Sequence, residues 1–357
     1  MFPTPTKLNL KFNLSNFLFY MYFNLNSSKF FFLFVLIFST LVTISSNSWF
    51  GCWIGLEINL LSFIPLISNS KNMLTNEASL KYFLIQSIAS INFLFFILLK
   101  MIMLLNFKNE VYLAILINSS LLMKMGSFPF HFWFPNIIEG MSWMNCFILM
   151  TWQKISPMIL LSYYFNKNFL LLCVIMNSLI GAIGGFNQTS LRKLLAFSSI
   201  NNLSWMILSI LISESLWILY MTVYMFLIFI MCLMFYLLNV LFINQMFILN
   251  LNYFTKIIIS INFLSLGGLP PFLGFLPKWM MINYLVINNL YFLTFLLIMC
   301  SLIMLFFYIR ILFSSLLFNY LKLKWFKNFI KNKWFNFINL LSMISIMGLI
   351  FSTLIFF

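Results

Sequence analysis

The sequence contains no aspartate and few glutamates, and charged side chains of either sign are scarce. Charged residues make up 7% of the 357 residues, whereas hydrophobic residues make up 63%. A water-soluble domain carries about a quarter charged residues, so this composition cannot build a surface that faces water. We therefore predict an all-α membrane protein that crosses the bilayer many times and has no soluble domain.

The few charges are strongly unbalanced. There are 20 Lys and Arg residues against 5 acidic residues, which gives a formal net charge of +15. Such an excess can indicate nucleic-acid binding, but here the basic residues are spread between apolar runs rather than clustered. We therefore expect no nucleic-acid partner and attribute the excess to the orientation of the chain in a membrane.

Neither the cysteines nor the glycines form a motif for a redox centre. The five cysteines stand singly in apolar segments, and no pair has the spacing of metal ligands or of a redox motif. No G-x-G-x-x-G motif follows a predicted strand, so we expect no nicotinamide site in this chain. The sequence thus predicts no metal and no cofactor bound by this chain itself.

Long apolar runs, separated by polar or turn-rich breaks, predict about eleven transmembrane helices. The predicted spans are 30–46, 48–68, 80–104, 111–134, 142–163, 170–186, 191–212, 216–241, 256–283, 286–313 and 337–357. Residues 28–357 then form a single transmembrane domain. Residues 1–27 are too polar to span the bilayer, and we expect either a short N-terminal extension or a true start at Met21.

Basic residues favour one side of this predicted topology. The side that holds the N-terminus receives Arg192, Lys193, Lys256 and the lysines of the loop 314–336, whereas the other side receives only Lys100, Lys108 and Lys167. The positive-inside rule then places the N-terminus in the matrix of a mitochondrion. The wealth of Phe, Ile, Asn and Lys indicates AT-rich codons, which are typical of a mitochondrial genome, although a bacterial symbiont genome produces the same bias.

Four ionisable side chains remain inside predicted spans, namely Glu57, Lys124, Lys154 and Lys278. A charge at the bilayer centre costs at least about 2.5–3.5 kcal/mol on insertion scales, so such residues are usually functional. Each lysine has a proline nearby, and a proline frees a backbone carbonyl. The glycines and prolines of 267–271 predict a broken helix, which is tolerated where it lines a cavity.

Two interpretations of these four residues are open. In the first, they line a hydrated proton path, because burial disfavours the charged lysine and a nearby carboxylate favours it. A change in the distance between Glu57 and Lys124 would then switch that lysine between holding and releasing a proton. In the second, the lysines snorkel or form one static ion pair; this alternative is strongest for Lys278, which lies near a helix end.

The single histidine, His131, lies seven residues after Lys124. The two side chains would share a helix face if the helix continued through Pro129. A histidine suits proton relay near neutral pH, but it can equally form a hydrogen bond within a loop. Both roles stay open for His131.

Six segments, taken in order, resemble chain 2 of the respiratory NADH:ubiquinone oxidoreductase, in particular its insect form. They are NSWFGCWIGLEINLLSFIPL (48–67), EASLKYFLIQ (77–86), KMGSFPFHFWFPNIIEG (124–140), LMTWQKISP (149–157), IGAIGGFNQTSLRKLLAFSSINNLSWM (180–206) and NFLSLGGLPPFLGFLPKW (262–279). The stretch 180–206 is similar to a signature of the antiporter-like subunits. The resemblance covers residues 25 to about 315, and in this family the chain usually begins near NSSKFFFLF, which favours Met21 as the start.

The resemblance implies an antiporter-like bundle with two inverted repeats of five helices, each containing a broken helix. It implies a core subunit of complex I that translocates protons across the mitochondrial inner membrane. NADH, FMN, iron–sulfur clusters and ubiquinone would belong to the rest of the complex. The expected partners are other membrane-arm subunits, above all the neighbouring antiporter-like chains, and membrane lipid.

The resemblance also implies roles for individual residues. The proton-path positions of the family fall on Glu57, Lys124, Lys154 and Lys278, and His131 matches a position that assists proton transfer. Asn202 departs from the family, which often has His there, so an entry-channel role for this position is in doubt. Two competing functions remain, an independent cation/proton antiporter and a scaffold that conducts nothing.

Overall fold

A computed structural model of the chain describes residues 27–69, 72–103, 110–248, 253–317 and 337–348. Within these ranges the chain is almost entirely helical, with one isolated β-bridge between Ser190 and Phe242. The helices are α1 (Ser27–Ser45), α2 (Trp49–Ile67), α3 (Met73–Met103), α4 (Glu110–Met125), α5 (Trp133–Gly140), α6 (Trp143–Met150), α7 (Trp152–Tyr163), α8 (Lys167–Gly185), α9 (Leu191–Ile212), α10 (Glu214–Leu238), α11 (Ile243–Ile248), α12 (Tyr253–Gly267), α13 (Phe275–Ile287), α14 (Tyr291–Leu317) and α15 (Phe337–Gly348).

The lengths and compositions of these helices fit a membrane. In the described ranges, seven helices are long and apolar enough to cross one, namely α1, α2, α3, α8, α9, α10 and α14. The helices α12, α13 and α15 are shorter but also apolar. The chain is therefore a multi-pass, all-α membrane protein, which confirms the predicted fold class.

The predicted spans from 30–46 to 286–313 each correspond to one helix or to a pair of shorter helices, except 111–134. In that span the helix α4 ends at Met125, and α5 begins only at Trp133 and continues past the predicted end. The last predicted span, 337–357, is described only as far as residue 348. The proposed N-terminal extension, apart from Ser27, and most of the lysine-rich loop 314–336 lie outside the described residues.

Two predicted spans are broken in the middle, and both breaks begin with the same helix cap. The helix α4 ends before Gly126 (φ 71°), and α12 ends before Gly268 (φ 81°). At each cap a backbone N–H reaches back to a carbonyl five residues earlier, from Ser127 to Leu122 (3.1 Å) and from Leu269 to Leu264 (3.3 Å). This is the cap that a left-handed glycine allows. The predicted broken helix in 256–283 is thus confirmed.

A third interruption separates α6 from α7 within the predicted span 142–163. It falls at Thr151, whose backbone leaves ideal helix geometry (φ −118°, ψ −72°). The hydroxyl of Thr151 donates to the carbonyl of Phe147 (2.6 Å), a bond that competes with regular helix bonding. Pro157, the breaker visible in the sequence, lies instead inside α7.

Small residues allow the helices to approach one another closely. A Cβ atom at Gly181 of α8 would lie 2.7 Å from the backbone nitrogen of Asn201 in α9, and one at Gly55 of α2 would lie 2.4 Å from a methyl carbon of Thr43 in α1. Helices in lipid associate through such close packing rather than through the hydrophobic effect. Of the seven helices long enough to cross a membrane, α9 is the most enclosed. In its 18-residue apolar stretch 83% of the residues are buried inside the bundle, against 22% for α1. The candidate site lies around this central helix.

Candidate functional site

Three buried lysines stand where helices are broken or interrupted. Lys124 lies in the last turn of α4, Lys154 in the first turn of α7 and Lys278 in the first turn of α13. Their exposed fractions are 8%, 1% and 5%. Within the described residues, the ion pairs are Lys81–Glu77 and Lys193–Glu139, so these three lysines have no direct carboxylate partner there.

Lys124 borders a small polar cavity between four helices. The cavity measures about 10 Å³, which is about the size of one water molecule. It is lined by Lys124 together with Asn59, Gln86, Gln153 and Ser156. Gln86 donates to the carbonyl oxygen of Lys124 (3.0 Å), which fixes the end of α4 against α3.

Glu57, the only carboxylate predicted inside a span, lies half-buried in α2. It stands next to Leu56, which lines the cavity at Lys124, and it makes no direct ion pair with that lysine. The structure therefore places Glu57 and Lys124 in the same neighbourhood. A small helix movement would change their interaction, because Coulomb energy is steep at short distance in a low dielectric.

Lys154 is the most deeply buried of the three lysines. Its Nζ atom lies 3.5 Å from the carbonyl oxygen of Ser199 in α9. The same atom lies 5.0 Å from the ring centroid of Phe134 and 5.6 Å from that of Tyr224. Aromatic faces attract a cation within about 6 Å, so these two rings and one carbonyl are the groups that can stabilise a charged Lys154.

Lys278 reaches back across the break between α12 and α13. Its Nζ atom donates to the carbonyl oxygen of Gly267, the last residue of α12, at 3.0 Å. The C-terminal end of a helix carries partial negative charge and favours a cation. A second cavity, of about 20 Å³, lies beside this lysine and is lined by Asn202, Tyr220 and Tyr224 among others.

Polar groups connect the three lysines in one series. Gln153 and Ser156 of α7 line the cavity at Lys124, and Lys154 lies between them in the sequence. Tyr224 faces Lys154 and also lines the cavity at Lys278. Lys124 and Lys278 thus each border a cavity of about water size. Lys154 follows Gln153 in the chain and faces Tyr224, and these two residues line one cavity each, so we treat the three lysines as one series.

His131 lies apart from this series. The helix α4 does not continue through Pro129, because the chain turns away at Gly126, so His131 and Lys124 do not share a helix face. Instead His131 lines a separate, mostly apolar pocket of about 520 Å³, together with Gln188 and Lys193. Its role in proton transfer stays a prediction.

Several site residues were not predicted from the sequence. Gln153, Tyr220 and Tyr224 line the two cavities or contact Lys154, yet each is an ordinary residue type at a membrane helix. The sequence offers only a weak indication that these residues belong to the site, namely that they are polar side chains inside long apolar runs. Asn202 lines the second cavity, where its side-chain oxygen accepts from the Tyr220 hydroxyl (3.1 Å).

Known proteins resemble this chain over most of its length. A family model described as "NADH:quinone oxidoreductase/Mrp antiporter, TM" matches residues 46–304. NADH-ubiquinone oxidoreductase chain 2 of Anopheles gambiae is 50% identical over 334 residues, which cover 91% of this chain and 97% of that protein. The chain belongs to the NADH-ubiquinone oxidoreductase chain 2 family. Another insect member, from Locusta migratoria, is 44% identical and covers 91% of this chain and 96% of that protein.

Solved structures show the same fold at low sequence identity. A chain of respiratory complex I from Thermus thermophilus with bound aureothin superposes with a TM-score of 0.77 at 19% identity, covering 92% of this chain and 79% of that chain. A chain of the Mrp complex from Dietzia sp. gives 0.69 at 15% identity, covering 78% and 59%. The antiporter-like fold is therefore shared by chain 2 and these membrane complexes. Among the described residues, no three His, Cys, Asp or Glu side chains are grouped so as to hold a metal ion.

Proposed function

We propose that this chain is a core membrane subunit of a proton-pumping NADH:ubiquinone oxidoreductase in the mitochondrial inner membrane. In this proposal it translocates protons while partner subunits oxidise NADH and reduce ubiquinone. The observation that carries the proposal is the set of three buried lysines, of which Lys124 and Lys278 each border a water-sized cavity and Lys154 faces Tyr224 beside the second cavity. Buried ionisable groups in a membrane are costly and usually mark an ion or proton path.

The proposal gives each residue a role. Glu57 sets the charge state of Lys124 through its distance, Lys154 receives a proton across the first cavity, and Lys278 continues the path beyond Tyr224. The carbonyl of Ser199 and the ring of Tyr224 are groups that can hold the charged form of Lys154 while a proton is there. His131 has an accessory role at the edge of the bundle, where its pocket also contains Lys193.

The proposal extends to topology and partners. Residues 28–357 form one transmembrane domain, and the side of the N-terminus, which carries Arg192 and Lys193, faces the matrix. The neighbouring membrane-arm subunits, including antiporter-like chains, are its partners together with lipid. NADH, FMN, iron–sulfur clusters and ubiquinone bind in other subunits.

The test replaces Lys154 with methionine, which has a similar length and no charge. We expect the Lys154→Met complex to assemble, as judged on a native gel, and its NADH:quinone activity with coupled proton pumping to fall about tenfold or more, as loss of a proton-transfer group does. The matched control is Lys81→Met, because Lys81 is an exposed lysine in α3 whose ion pair with Glu77 lies at the surface. Wild-type activity and a wild-type proton-to-electron ratio in Lys154→Met would remove Lys154 from the path.

A further inference from the structure

Two neutral side chains form a closed pair in the membrane interior. The amide nitrogen of Asn59 in α2 donates to the side-chain oxygen of Gln153 in α7 (2.9 Å), and the amide nitrogen of Gln153 donates to the side-chain oxygen of Asn59 (3.0 Å). The two residues are 94 positions apart in the sequence. This reciprocal pair joins α2, which also carries Glu57, to α7, which also carries Lys154.

The location of the pair is specific. Asn59 lies two residues after Glu57 in α2, and Gln153 directly precedes Lys154 in α7. Both side chains line the cavity at Lys124. The hydroxyl of Tyr82 lies 3.5 Å from the oxygen of Gln153, on the same side of the cavity. The pair therefore borders the Lys124 cavity on the two helices that also carry Glu57 and Lys154.

The chemistry of an amide suits a barrier rather than a relay. Neither Asn nor Gln takes up or loses a proton near neutral pH. In the closed pair one N–H and one oxygen lone pair of each amide are used by the other amide and are not offered to water in the cavity. Parting the two amides would free this N–H and lone pair on each side chain, which can then bind water.

The helix that carries Gln153, α7, begins at an interruption of the span, where it can move relative to α6. Gln153 is the second residue of α7, next to the interruption at Thr151. The amide of Lys154 donates to Thr151 three residues earlier (3.2 Å), so the first turn of α7 is tight rather than continuous with α6. Breaks of this kind at membrane depth are where transport proteins allow local movement.

We propose that the Asn59–Gln153 pair is a gate in the proton path. When the pair is closed, it separates the Lys124 cavity from Lys154. When the pair is open, water connects the two. This proposal rests on the proposed function and adds two residues that do not titrate. Movement of α7 away from α2 opens the pair, because Gln153 belongs to α7 and Asn59 to α2. Since Asn59 and Glu57 share α2, a displacement of α2 against α4 would in addition change the distance from Glu57 to Lys124.

The first experiment removes the hydrogen-bonding groups with little change in volume. The variant Asn59→Leu/Gln153→Met is compared with wild type in the assembled complex, with the rate expressed per complex. We expect NADH:quinone activity about tenfold lower or more, since misplacing groups by about 1 Å in a reactive site costs up to about a hundredfold. The solvent deuterium isotope effect should rise, because proton movement becomes rate-limiting.

A matched control separates a gate from a structural clamp. Asn145 is also a buried asparagine, and it joins α6 to the carbonyl of Leu66 in α2 (2.9 Å), but it does not line either lysine cavity. We expect Asn145→Leu to change at most the amount of assembled complex. If the double variant behaves the same way, with a wild-type rate and isotope effect per complex, the pair is a clamp and the gate is overturned.

A second variant decides the matter even if the apolar variant does not assemble. Gln153→Glu keeps the shape of the side chain but gives the pair a group that carries a proton. We expect quinone reduction to continue while the proton-to-electron ratio falls, because the barrier is bypassed. An unchanged ratio in Gln153→Glu would overturn the gate. If Lys154→Met lowers pumping while these variants do not, the proposed function stands without the gate; if Lys154→Met also has no effect, the proposed path itself fails.

Discussion

At the residue scale, Lys124 and Lys278 both lie near the C-terminal end of a half-helix although their places in the sequence differ. Lys124 precedes its helix break and lies in the last turn of α4, whereas Lys278 follows its break and reaches the last carbonyl of α12. Both lysines are therefore held at the C-terminal end of a half-helix. That end favours a cation by about 0.3–1 kcal/mol, or more when partly buried. Lys154, at the start of α7, has no such support.

The sequence was sufficient to find these ionisable residues but not their environments. Glu57 and the three lysines are identifiable because charges are rare inside apolar runs. Their neighbours, such as Tyr224 and Gln153, come from segments far away in the chain, and only packing brings them close. The expected helix face shared by His131 and Lys124 was not formed, since Gly126 takes a left-handed conformation that a sequence pattern does not reveal.

Gly268 provides a prediction at this scale. Its backbone has φ 81°, and an added Cβ would lie 3.0 Å from both Cδ and Nζ of Lys278. The left-handed conformation costs a residue with a side chain about 1–2 kcal/mol. We expect Gly268→Ala to move the ammonium group away from Gly267 and to lower NADH:quinone activity per complex.

The neighbouring glycine is the control. A Cβ at Gly267 would meet its nearest atom at 3.5 Å, an ordinary contact, and the backbone there is not left-handed. Gly267→Ala should therefore retain wild-type activity in the same assay. Equal activity of both alanine variants would contradict the role assigned to Gly268.

At the element scale, helix breaks were predictable only where the sequence contains strong breakers. The glycines and prolines of 267–271 indicated the break between α12 and α13 correctly. The interruption between α6 and α7 falls at Thr151, six residues before Pro157. Threonine is a weak breaker that acts here through a hydroxyl bond to Phe147, and that bond depends on local packing rather than on residue type.

The ends of three helices are tied together by Lys100 near the C-terminus of α3. Its Nζ atom lies 3.6 Å from the ring centroid of Tyr164 and 5.2 Å from that of Trp49. The Tyr164 hydroxyl also donates to the carbonyl oxygen of Glu110 at the start of α4 (3.0 Å). This cluster closes the end of the bundle opposite the Glu139–Lys193 pair.

Two substitutions separate the contributions within this cluster. Tyr164→Phe removes only the hydrogen bond and should cost about 0.5–1.5 kcal/mol, whereas Tyr164→Leu also removes the aromatic face, worth about 0.5–1 kcal/mol or more. The midpoint of thermal inactivation of the purified complex should therefore fall in the order wild type, Tyr164→Phe, Tyr164→Leu. Tyr163→Leu, at the adjacent exposed tyrosine, is the control and should leave the midpoint unchanged.

At the scale of the whole molecule, the proposed orientation is open to direct labelling. All five cysteines are buried, so they give little background with a membrane-impermeant maleimide. Glu77 in the first turns of α3 and Lys167 at the start of α8 lie at opposite ends of the bundle. We expect Glu77→Cys to react only from the matrix side and Lys167→Cys only from the intermembrane space. The reverse pattern would invert the proposed topology.

The dependence on partners is a second prediction at this scale. Moving one charge against a membrane potential costs about 2.3 kcal/mol per 100 mV, and the sequence offers no nucleotide motif to supply that energy. We expect vesicles with the purified chain alone to show no NADH-driven acidification, whereas vesicles with the whole complex acidify. Active pumping by the isolated chain would contradict the subunit role and favour an independent antiporter.

The described ion pairs, Lys81–Glu77 and Lys193–Glu139, lie on the N-terminal side of the bundle, the first exposed and the second partly buried at the surface. Dissolved ions screen such pairs over about 8 Å at physiological ionic strength, and each exposed pair contributes only about 0–1 kcal/mol. The interior charges, by contrast, are out of reach of dissolved ions. High ionic strength should therefore weaken these two pairs and leave the electrostatics around Lys124, Lys154 and Lys278 unchanged, so the proton-to-electron ratio of the complex should be the same in dilute and in concentrated salt.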